Sequence, residues 1–296
     1  MAAVSGALVA RRPLSQALPG ELRRRMVDRI AMSLIASTAL LGCAVLLFVV
    51  SYVVVRGAPA IDVAFFTEGP KPYGEEGGGV LPAIVGTLSM LLLASAIAIP
   101  AGLGTAIYLS EFGRGAFAHA VRFALDLLAG MPSIVIGVFV WSLLVRQVIG
   151  RFSGIAGAVA LAIIMIPIVS RTVEEILRLV PDALREGSLA LGVPRWRTIV
   201  GVVLPTARAG VITGVMLSLA RAGGETAPLL LTALGNQFLS FDLTSPIASL
   251  PVQIYNYAVA PYEDWHTKAW GSALVLVSVI GCLSLVTRIA TRRARL

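Results

Sequence analysis

The chain has 296 residues, of which 57% are hydrophobic and only 14% are charged, and its mean hydropathy is +0.87. That is too little polar surface to cover a soluble globule of this size, so the composition indicates an integral membrane protein. The net charge of +8 would raise the question of nucleic-acid binding in a soluble chain. Here the placement of arginine near membrane segments explains it, and no nucleic-acid partner is expected.

Six apolar segments are long enough to cross a hydrocarbon core of ~30 Å, which takes about 20 helical residues. They cover residues 30–55, 82–109, 123–145, 154–170, 208–235 and 269–287. The sequence therefore predicts an all-α integral membrane protein with six transmembrane helices. A basic arm at residues 1–29 precedes a single six-span domain at residues 30–296.

Orientation follows from arginine placement, because Lys and Arg near the ends of spans are retained on the cytoplasmic side. Arginines are concentrated at residues 11–29, in the loop at residues 171–208 and in the tail at residues 288–295. The loops on the opposite side carry few basic residues. Both termini and the 171–208 loop are therefore predicted to face the cytoplasm, with the arm resting on anionic lipid.

The loop at residues 181–205, called the coupling loop below, is a polar segment set between apolar spans. Residues 182–191 can form a short amphipathic helix, and Gly192 permits a turn. Pro194 suits the first turn of a second helix that ends near Pro205. Two short helices at an angle would make a compact knob that passes rigid-body motion from a soluble partner to the membrane. The alternative is an ordinary amphipathic loop at the membrane interface.

The predicted fifth span contains two ionisable residues, Arg221 and Glu225, with Gly223, Gly224 and Pro228 around them. Charged residues at membrane depth face a bundle interior or a water-filled path. If the helix continues, the i, i+4 spacing allows the two side chains to pair. One interpretation is a neutralising ion pair that only holds helices together. The other is that Arg221 meets an anionic substrate, since a guanidinium matches the oxygens of phosphate or sulfate.

Catalytic and metal-binding motifs are not found in this sequence. His119 and His266 are its two histidines, and neither has a Cys, Asp or Glu at a ligand-like helical spacing together with a second histidine. There is no P-loop to hold nucleotide phosphates. The chain is therefore predicted not to be an enzyme and to bind no metal and no cofactor itself, so that energy for any work comes from a separate subunit.

Within the coupling loop, the spacing of six residues resembles the EAA-x3-G-x9-I-x-LP motif of ABC importer permeases. These residues are Glu186, Gly187, Ser188, Gly192, Leu204 and Pro205. The chain departs from the motif at Gly187 and Ser188, where the family has alanines, and at Val202, where it has isoleucine. The resemblance implies that the six residues contact an ATPase.

Three further segments narrow the resemblance to one type of ABC importer permease. Residues 131–137 (MPSIVIG), 224–230 (GETAPLL) and 250–255 (LPVQIY) are similar to the PstA-type permease subunit of phosphate ABC importers, and the likeness covers nearly the whole chain. It implies a type I ABC importer permease fold in the bacterial inner membrane. The implied partners are a PstC-type permease subunit, two copies of an ATPase subunit that hydrolyses ATP, and a periplasmic phosphate-binding protein.

By the same resemblance, Arg221 and Glu225 line the path of inorganic phosphate, and Arg171 is a weaker candidate for that path. Other readings stay open at this point. The chain could be the permease of another oxyanion importer, for sulfate or molybdate, or the PstC-type half. A stand-alone anion channel or carrier is the distant alternative, because it would need no coupling loop and usually shows inverted repeats.

Overall fold

The computed structural model describes residues 21–72, 74–75 and 77–293, and along them the chain is helical, with no β-strand. This agrees with the predicted all-α class. Residues 1–20 of the basic arm, and Arg295 of the tail, lie outside the described residues. The contacts divide the chain into two units, Met1–Tyr52 and Val53–Leu296, which are described separately.

Helix α1 runs from Glu21 to Gly57. Residues 21–29 of the predicted arm are thus its first turns and continue into the first predicted span. Inside that span, the hydroxyls of Ser33, Ser37 and Thr38 donate to backbone carbonyls three residues earlier, at 2.8–2.9 Å. The polar side chains are therefore satisfied within the helix itself, as a lipid environment requires.

The second unit is built from eleven further α-helices among the described residues. They are α2 (Val63–Thr67), α3 (Leu81–Ile107), α4 (Gly115–Gly130), α5 (Ser133–Val140), α6 (Gly154–Arg178), α7 (Asp182–Ala190), α8 (Arg195–Thr198), α9 (Leu204–Gly223), α10 (Ala227–Thr232), α11 (Leu250–Val259) and α12 (Glu263–Arg293). Wider π-helical turns extend or join several of them, at Tyr108–Phe112, Trp141–Ile149 and Ile199–Val203.

The third predicted span, residues 123–145, is not one continuous helix. The segments Gly115–Gly130 and Ser133–Ile149 meet at 102°. Between them Met131 is extended, with φ −68° and ψ 136°, because the ring of Pro132 disfavours a helical conformation in the residue before it. The prediction of an unbroken span is wrong here.

The fifth predicted span, residues 208–235, also has different limits. Its helix begins much earlier, so that Arg195–Gly223 is long and apolar enough to cross a membrane. It stops at Gly223, and the short α10 follows after a break of three residues. Four single helices and the one bent pair meet the requirements for spanning along the described residues. The sixth predicted span, residues 269–287, lies within α12, and the count of six stays a prediction.

Helix α6 is the centre of the second unit, and it packs between α3 and α9. Small residues allow this close approach. A Cβ atom on Gly102 of α3 would lie 2.8 Å from the Val169 side chain of α6, and one on Gly210 of α9 would lie 2.4 Å from Ile176. The three helices therefore pack as one body, which carries the coupling loop at the end where α6 stops and α9 starts.

Candidate functional site

The first half of the coupling loop has the conformation that the sequence predicts. Helix α7 is followed by Gly192 at φ +77°, a left-handed conformation that favours glycine. Two N–H groups turn back to the end of α7: Gly192 donates to the Leu189 carbonyl at 2.9 Å and Val193 to that of Ser188 at 3.3 Å. This arrangement caps the helix C-terminus, so the direction of α7 is fixed by hydrogen bonds.

The second half of the loop differs from the prediction, because its helix does not end near Leu204 and Pro205. Helix α8 starts after Pro194 and continues through the π-helical turn Ile199–Val203 into α9. In that turn the N–H of Leu204 donates to the Ile199 carbonyl, five residues back. The wider turn accommodates Pro205, which has no N–H to donate. The coupling loop therefore includes the first turns of a helix that is long enough to cross the membrane.

The six predicted ATPase-contact residues fall into two groups. Glu186, Gly187 and Gly192 are exposed on the loop, and the half-buried Ser188 hydroxyl lies 2.9 Å from that of Thr198, which joins α7 to α8. Leu204 and Pro205 belong to the start of α9. There Leu204 packs against a buried cluster with residues from α3, α6 and α9.

Apolar side chains that the sequence prediction did not include are exposed on the same loop. Leu191 is 84% exposed and Trp196 is 60% exposed, and both lie near the Gly192 turn in sequence. Large apolar groups on a polar loop are typical of a surface that docks another protein. They add to the exposed carboxylate of Glu186 as candidate contacts.

A buried carboxylate, Glu111, fastens the coupling loop to the end of α3. Its side chain is only 5% exposed, and Arg185 Nη2 lies 2.8 Å from its Oε1. The same guanidinium donates to the backbone carbonyls of Leu177 and Val180 and to Asp182. The hydrogen bond to the Glu111 carboxylate raises the pKa of Arg185 above its ordinary value, so the guanidinium stays charged.

Two more arginines bind backbone carbonyls in the π-helical turn at Tyr108–Phe112. Arg195 of α8 donates to the Glu111 carbonyl, and its guanidinium lies 4.6 Å from the centre of the Phe112 ring. Arg122 of α4 donates to the Leu109 carbonyl at 2.9 Å. Carbonyls at the end of a helix lack partners within it, and here arginine side chains from two other helices supply them.

A second buried carboxylate, Glu174 of α6, is 2% exposed and is surrounded by three arginines. Arg122 Nε lies 2.8 Å and Arg178 Nη2 2.7 Å from its Oε1, and Arg171 Nη1 lies 3.5 Å from its Oε2. Arg171 also forms a two-pronged pair with Asp126 of α4, with a distance of 2.8 Å from Nε. The predicted path residue Arg171 is therefore already held by two carboxylates.

The sequence interpretation missed Glu111 and Glu174, and, apart from the path candidate Arg171, treated the arginines around them only as orientation signals. A usable signal did exist. Glu111 is an acidic residue next to the end of an apolar span, and Glu174 lies three residues after Arg171 and four before Arg178, where helical side chains meet. The pairs with Arg122 and Arg185 join residues far apart in sequence, and no local spacing indicates them.

Arg221 and Glu225 lie close together, although the helix does not continue between them. Gly224 N–H donates to the Arg221 carbonyl and Glu225 N–H to that of Ala222, at 3.1 and 3.2 Å, which forms a tight turn after α9. The Arg221 Nε to Glu225 Oε1 distance is 3.8 Å, an ion pair without a hydrogen bond. The side chain of Arg221 is 55% exposed and that of Glu225 16%.

Arg171 and Arg221 differ in how available their guanidinium groups are to an anion. Arg171 pairs with Asp126 and Glu174, whereas Arg221 pairs with Glu225. The guanidinium of Arg171 is occupied by Asp126, whereas that of Arg221 makes one loose ion pair. The described ion pairs therefore place Arg171 in a different group of charges from Arg221 and Glu225, and Arg221 has the more available guanidinium.

These features define a helical membrane protein with a docking loop braced against its spans, and comparison with known proteins gives its family. Residues 98–295 match the family model described as binding-protein-dependent transport system inner membrane component. The match covers more than half of the chain, and the chain belongs to this family.

Individual relatives agree with the resemblance that the sequence motifs indicated. The chain is 43% identical to a phosphate transport system permease protein PstA of Yersinia pestis, over 90% of each chain. It is 42% identical to a PstA protein of Haemophilus influenzae, over 90% of this chain and 94% of that one. It is 39% identical to PstA 1 of Mycobacterium tuberculosis, over 94% and 93%. These matches confirm the similarity to PstA-type permeases.

Solved structures support the same fold at low sequence identity. An inward-facing structure of the MetNI methionine ABC transporter aligns with a TM-score of 0.58 at 20% identity, over 72% of this chain and 93% of that chain. An amino acid ABC transporter crystallised with histidines aligns with a TM-score of 0.53 at 17% identity, over 72% and 94%. The fold is that of a type I ABC importer permease.

The buried pair of Glu111 and Arg185 gives a first test. Glu111→Gln leaves the mostly buried Arg185 guanidinium with only the exposed Asp182 carboxylate as a counter-charge, and breaking a buried pair costs about 3–5 kcal/mol. We expect a lower apparent unfolding temperature for the detergent-solubilised protein, measured by intrinsic fluorescence. Adding Arg185→Gln should restore part of the loss, because no charge is then left uncompensated.

The matched control for this test is Glu175→Gln, which removes an exposed carboxylate from α6 and should leave the unfolding temperature unchanged. Equal unfolding temperatures for Glu111→Gln and Glu175→Gln would show that the brace does not stabilise the fold.

Proposed function

We propose that this chain is the transmembrane permease subunit of an ATP-driven importer of inorganic phosphate. The observation that carries the proposal is the similarity to PstA proteins over at least 90% of the chain, at 39–43% identity. The exposed, braced coupling loop supports it, since a subunit driven by a separate ATPase needs such a docking element. The membrane subunit performs no chemistry on phosphate.

The coupling loop is the proposed contact with the ATPase. Two copies of the ATPase subunit would bind and hydrolyse ATP, one docking against this chain and one against a PstC-type partner in a heterodimer. Glu186 and the Gly192 turn present the contact together with the exposed Leu191 and Trp196. This chain itself supplies no nucleotide site and no cofactor to the cycle.

Motion of the docked ATPase would reach three helices by three connections. The chain leads from α6 directly into α7, and α8 continues into α9. The third connection is made by side chains: Arg185 pairs with the Glu111 carboxylate and Arg195 donates to the Glu111 carbonyl, at the end of α3. Helices α3, α6 and α9 would therefore move with the loop as one body, as alternating access requires.

The proposed phosphate path passes Arg221. Its guanidinium presents a planar fork that fits the oxygens of a tetrahedral anion, and Glu225 at 3.8 Å weakens that attraction enough for release. Arg171 is the second candidate, but an anion would have to displace the Asp126 carboxylate to bind it. A weak, single-arginine site suits transit better than a tight one, with selectivity left to the periplasmic phosphate-binding protein.

The proposed orientation places both termini and the coupling loop in the cytoplasm of a bacterium and the chain in its inner membrane, with residues 30–296 as the permease domain. The arginine-rich loop end and the positive-inside rule support it. A guanidinium fork also fits sulfate or molybdate, so the choice of phosphate, and of the PstA-type half over the PstC-type half, follows from the relatives.

A strain lacking this chain tests the substrate. We expect uptake of radiolabelled phosphate at low external concentration to be lost and to return when the chain is expressed again. Uptake of radiolabelled sulfate serves as the control and should not change. Loss of sulfate uptake with normal phosphate uptake would contradict the proposal.

The Arg221 and Glu225 pair gives the second test. Arg221→Gln removes the charge and keeps most of the length, so phosphate uptake should fall at least tenfold while the assembled complex stays at normal level. Glu225→Gln should also reduce uptake, because Arg221 loses its counter-charge. The double variant separates a structural pair from a path residue.

If Arg221 guides phosphate, the double variant stays inactive, since no cation remains at this point of the path. If the pair only neutralises charge, removing both charges leaves nothing uncompensated, and uptake returns. Wild-type uptake by the double variant, at wild-type complex levels, would remove Arg221 and Glu225 from the path.

A further inference from the structure

A cavity of about 510 Å³ lies at the opposite end of α3 from the coupling loop. It is bordered by residues 70–72, which precede α3, by residues 234–237 after α10, and by α11 with the start of α12. At this end the Leu250 N–H of α11 donates to the Thr87 hydroxyl in the first turns of α3, at 2.8 Å. In the proposed orientation the cavity faces the extracytoplasmic side.

The lining of this cavity suits an anion. Among the described residues that line it, Lys71 is the one cation, several neutral groups can donate hydrogen bonds, and none is acidic. The amide and hydroxyl side chains are those of Asn236, Gln237, Ser249, Gln253, Asn256, Tyr257 and Tyr262. A neighbouring cavity of about 440 Å³ has the opposite character, since Asp62, Glu75 and Asp264 line it beside Lys268.

Two of the lining residues carry buried hydroxyls that lack a hydrogen-bond partner along the described residues. They are Ser249, which is 1% exposed, and Tyr257, which is 3% exposed. Buried polar groups are almost always partnered, because an unmade hydrogen bond costs free energy. A ligand oxygen would supply the missing acceptor for either hydroxyl.

The start of helix α11 adds an electrostatic field that favours an anion. Ser249 is its N-cap, but the serine side chain makes no capping bond. The N-terminus of a ten-residue helix carries a partial positive charge and attracts anions. Thr87 accepts from the Leu250 N–H and Pro251 has no N–H to offer, so the helix dipole and the unpartnered Ser249 hydroxyl are what occur together at the cavity.

Packing connects this cavity to the proposed path. Val252, which lines the cavity, belongs to the same buried cluster as Ala222 and Leu229. Ala222 follows Arg221 directly, and Leu229 lies in α10, just after the turn that contains Glu225. The cavity and the segment that carries the Arg221 pair therefore border the same cluster of packed side chains.

We propose that this cavity is a first binding site for a tetrahedral oxyanion, which receives inorganic phosphate from the binding protein before it reaches Arg221. The inference rests on the proposed function for the identity of the anion. Hydrogen bonds from Ser249, Tyr257 and the neighbouring amides recognise the oxygens. Lys71 shares its charge with Glu68, at 3.2 Å, so the site holds phosphate loosely and passes it on.

The test measures binding of radiolabelled inorganic phosphate to the purified four-subunit complex by equilibrium dialysis, without binding protein and without ATP. Tyr257→Phe and Ser249→Ala each remove one hydroxyl and no charge. We expect the dissociation constant to rise roughly tenfold for each, as the loss of one hydrogen bond to an anion predicts. Two variants are used so that one that fails to assemble, judged by gel filtration, does not decide the outcome.

Tyr255→Phe is the matched control, because Tyr255 lies on the same helix, is 48% exposed and does not line the cavity. It should bind phosphate like the unchanged complex. Equal affinity for the unchanged complex, Ser249→Ala and Tyr257→Phe would overturn the proposal.

A lipid headgroup also carries a phosphate group, so a separate experiment distinguishes bound lipid from free phosphate. The dialysis is repeated after delipidation and after adding phosphatidylglycerol, with native mass spectrometry to count retained lipid. Lipid that blocks phosphate binding and is lost in Tyr257→Phe would overturn the transport role. Free phosphate that binds the delipidated complex with the same affinity would support it.

The uptake assay separates failure of this site from failure of the proposed function. If cells import phosphate through the unchanged chain while Tyr257→Phe alters neither binding nor uptake, the cavity site is wrong and the function stands. If the unchanged complex imports sulfate instead of phosphate, the proposed substrate is wrong whatever the cavity binds.

Discussion

The partnering of charged groups near the membrane is the constraint on which the rest of this structure depends. Two nearly buried carboxylates, Glu111 and Glu174, each pair with a guanidinium from another helix, those of Arg185 and Arg122. A carboxylate this far removed from water is stable only when it is paired and hydrogen-bonded. These pairs fix the ends of α3, α4 and α6 relative to the coupling loop, and so give a soluble partner a rigid element to move.

The helices are interrupted next to residues and segments that are candidates for a function. The bend before Pro132, the turn after Gly223 and the π-helical turns at Tyr108–Phe112 and Ile199–Val203 all disturb the regular hydrogen bonding of a spanning helix. Such breaks are tolerated at membrane depth only where protein or water satisfies the freed groups. Here Arg122 and Arg195 satisfy two of the carbonyls, and the Gly223 break leaves Arg221 exposed at the end of its helix.

The two ends of α3 have contrasting electrostatics, which suits a directional path. The end at Phe112 is held by strong, charged hydrogen bonds that resist rearrangement. The other end adjoins a cavity of neutral donors and one lysine, where an anion would bind weakly. Between them, Arg221 keeps one loose ion pair. A subunit that transports an anion needs weak binding along the path, and one that receives work from an ATPase needs a rigid contact with it. The two ends of α3 meet these two needs separately.

Local sequence patterns determined the membrane class, the helical fold, the Gly192 turn and the family. These depend on apolar run length, on the one residue type that accepts φ +77°, and on short motifs, all of which act over a few residues. The tertiary structure alone decided that Arg185 pairs with Glu111 and Arg122 with Glu174, across separations of 74 and 52 residues. It also decided that Arg171 is occupied and that Ser249 and Tyr257 share a cavity. Such contacts come from the packing of distant helices, which no spacing within one helix specifies.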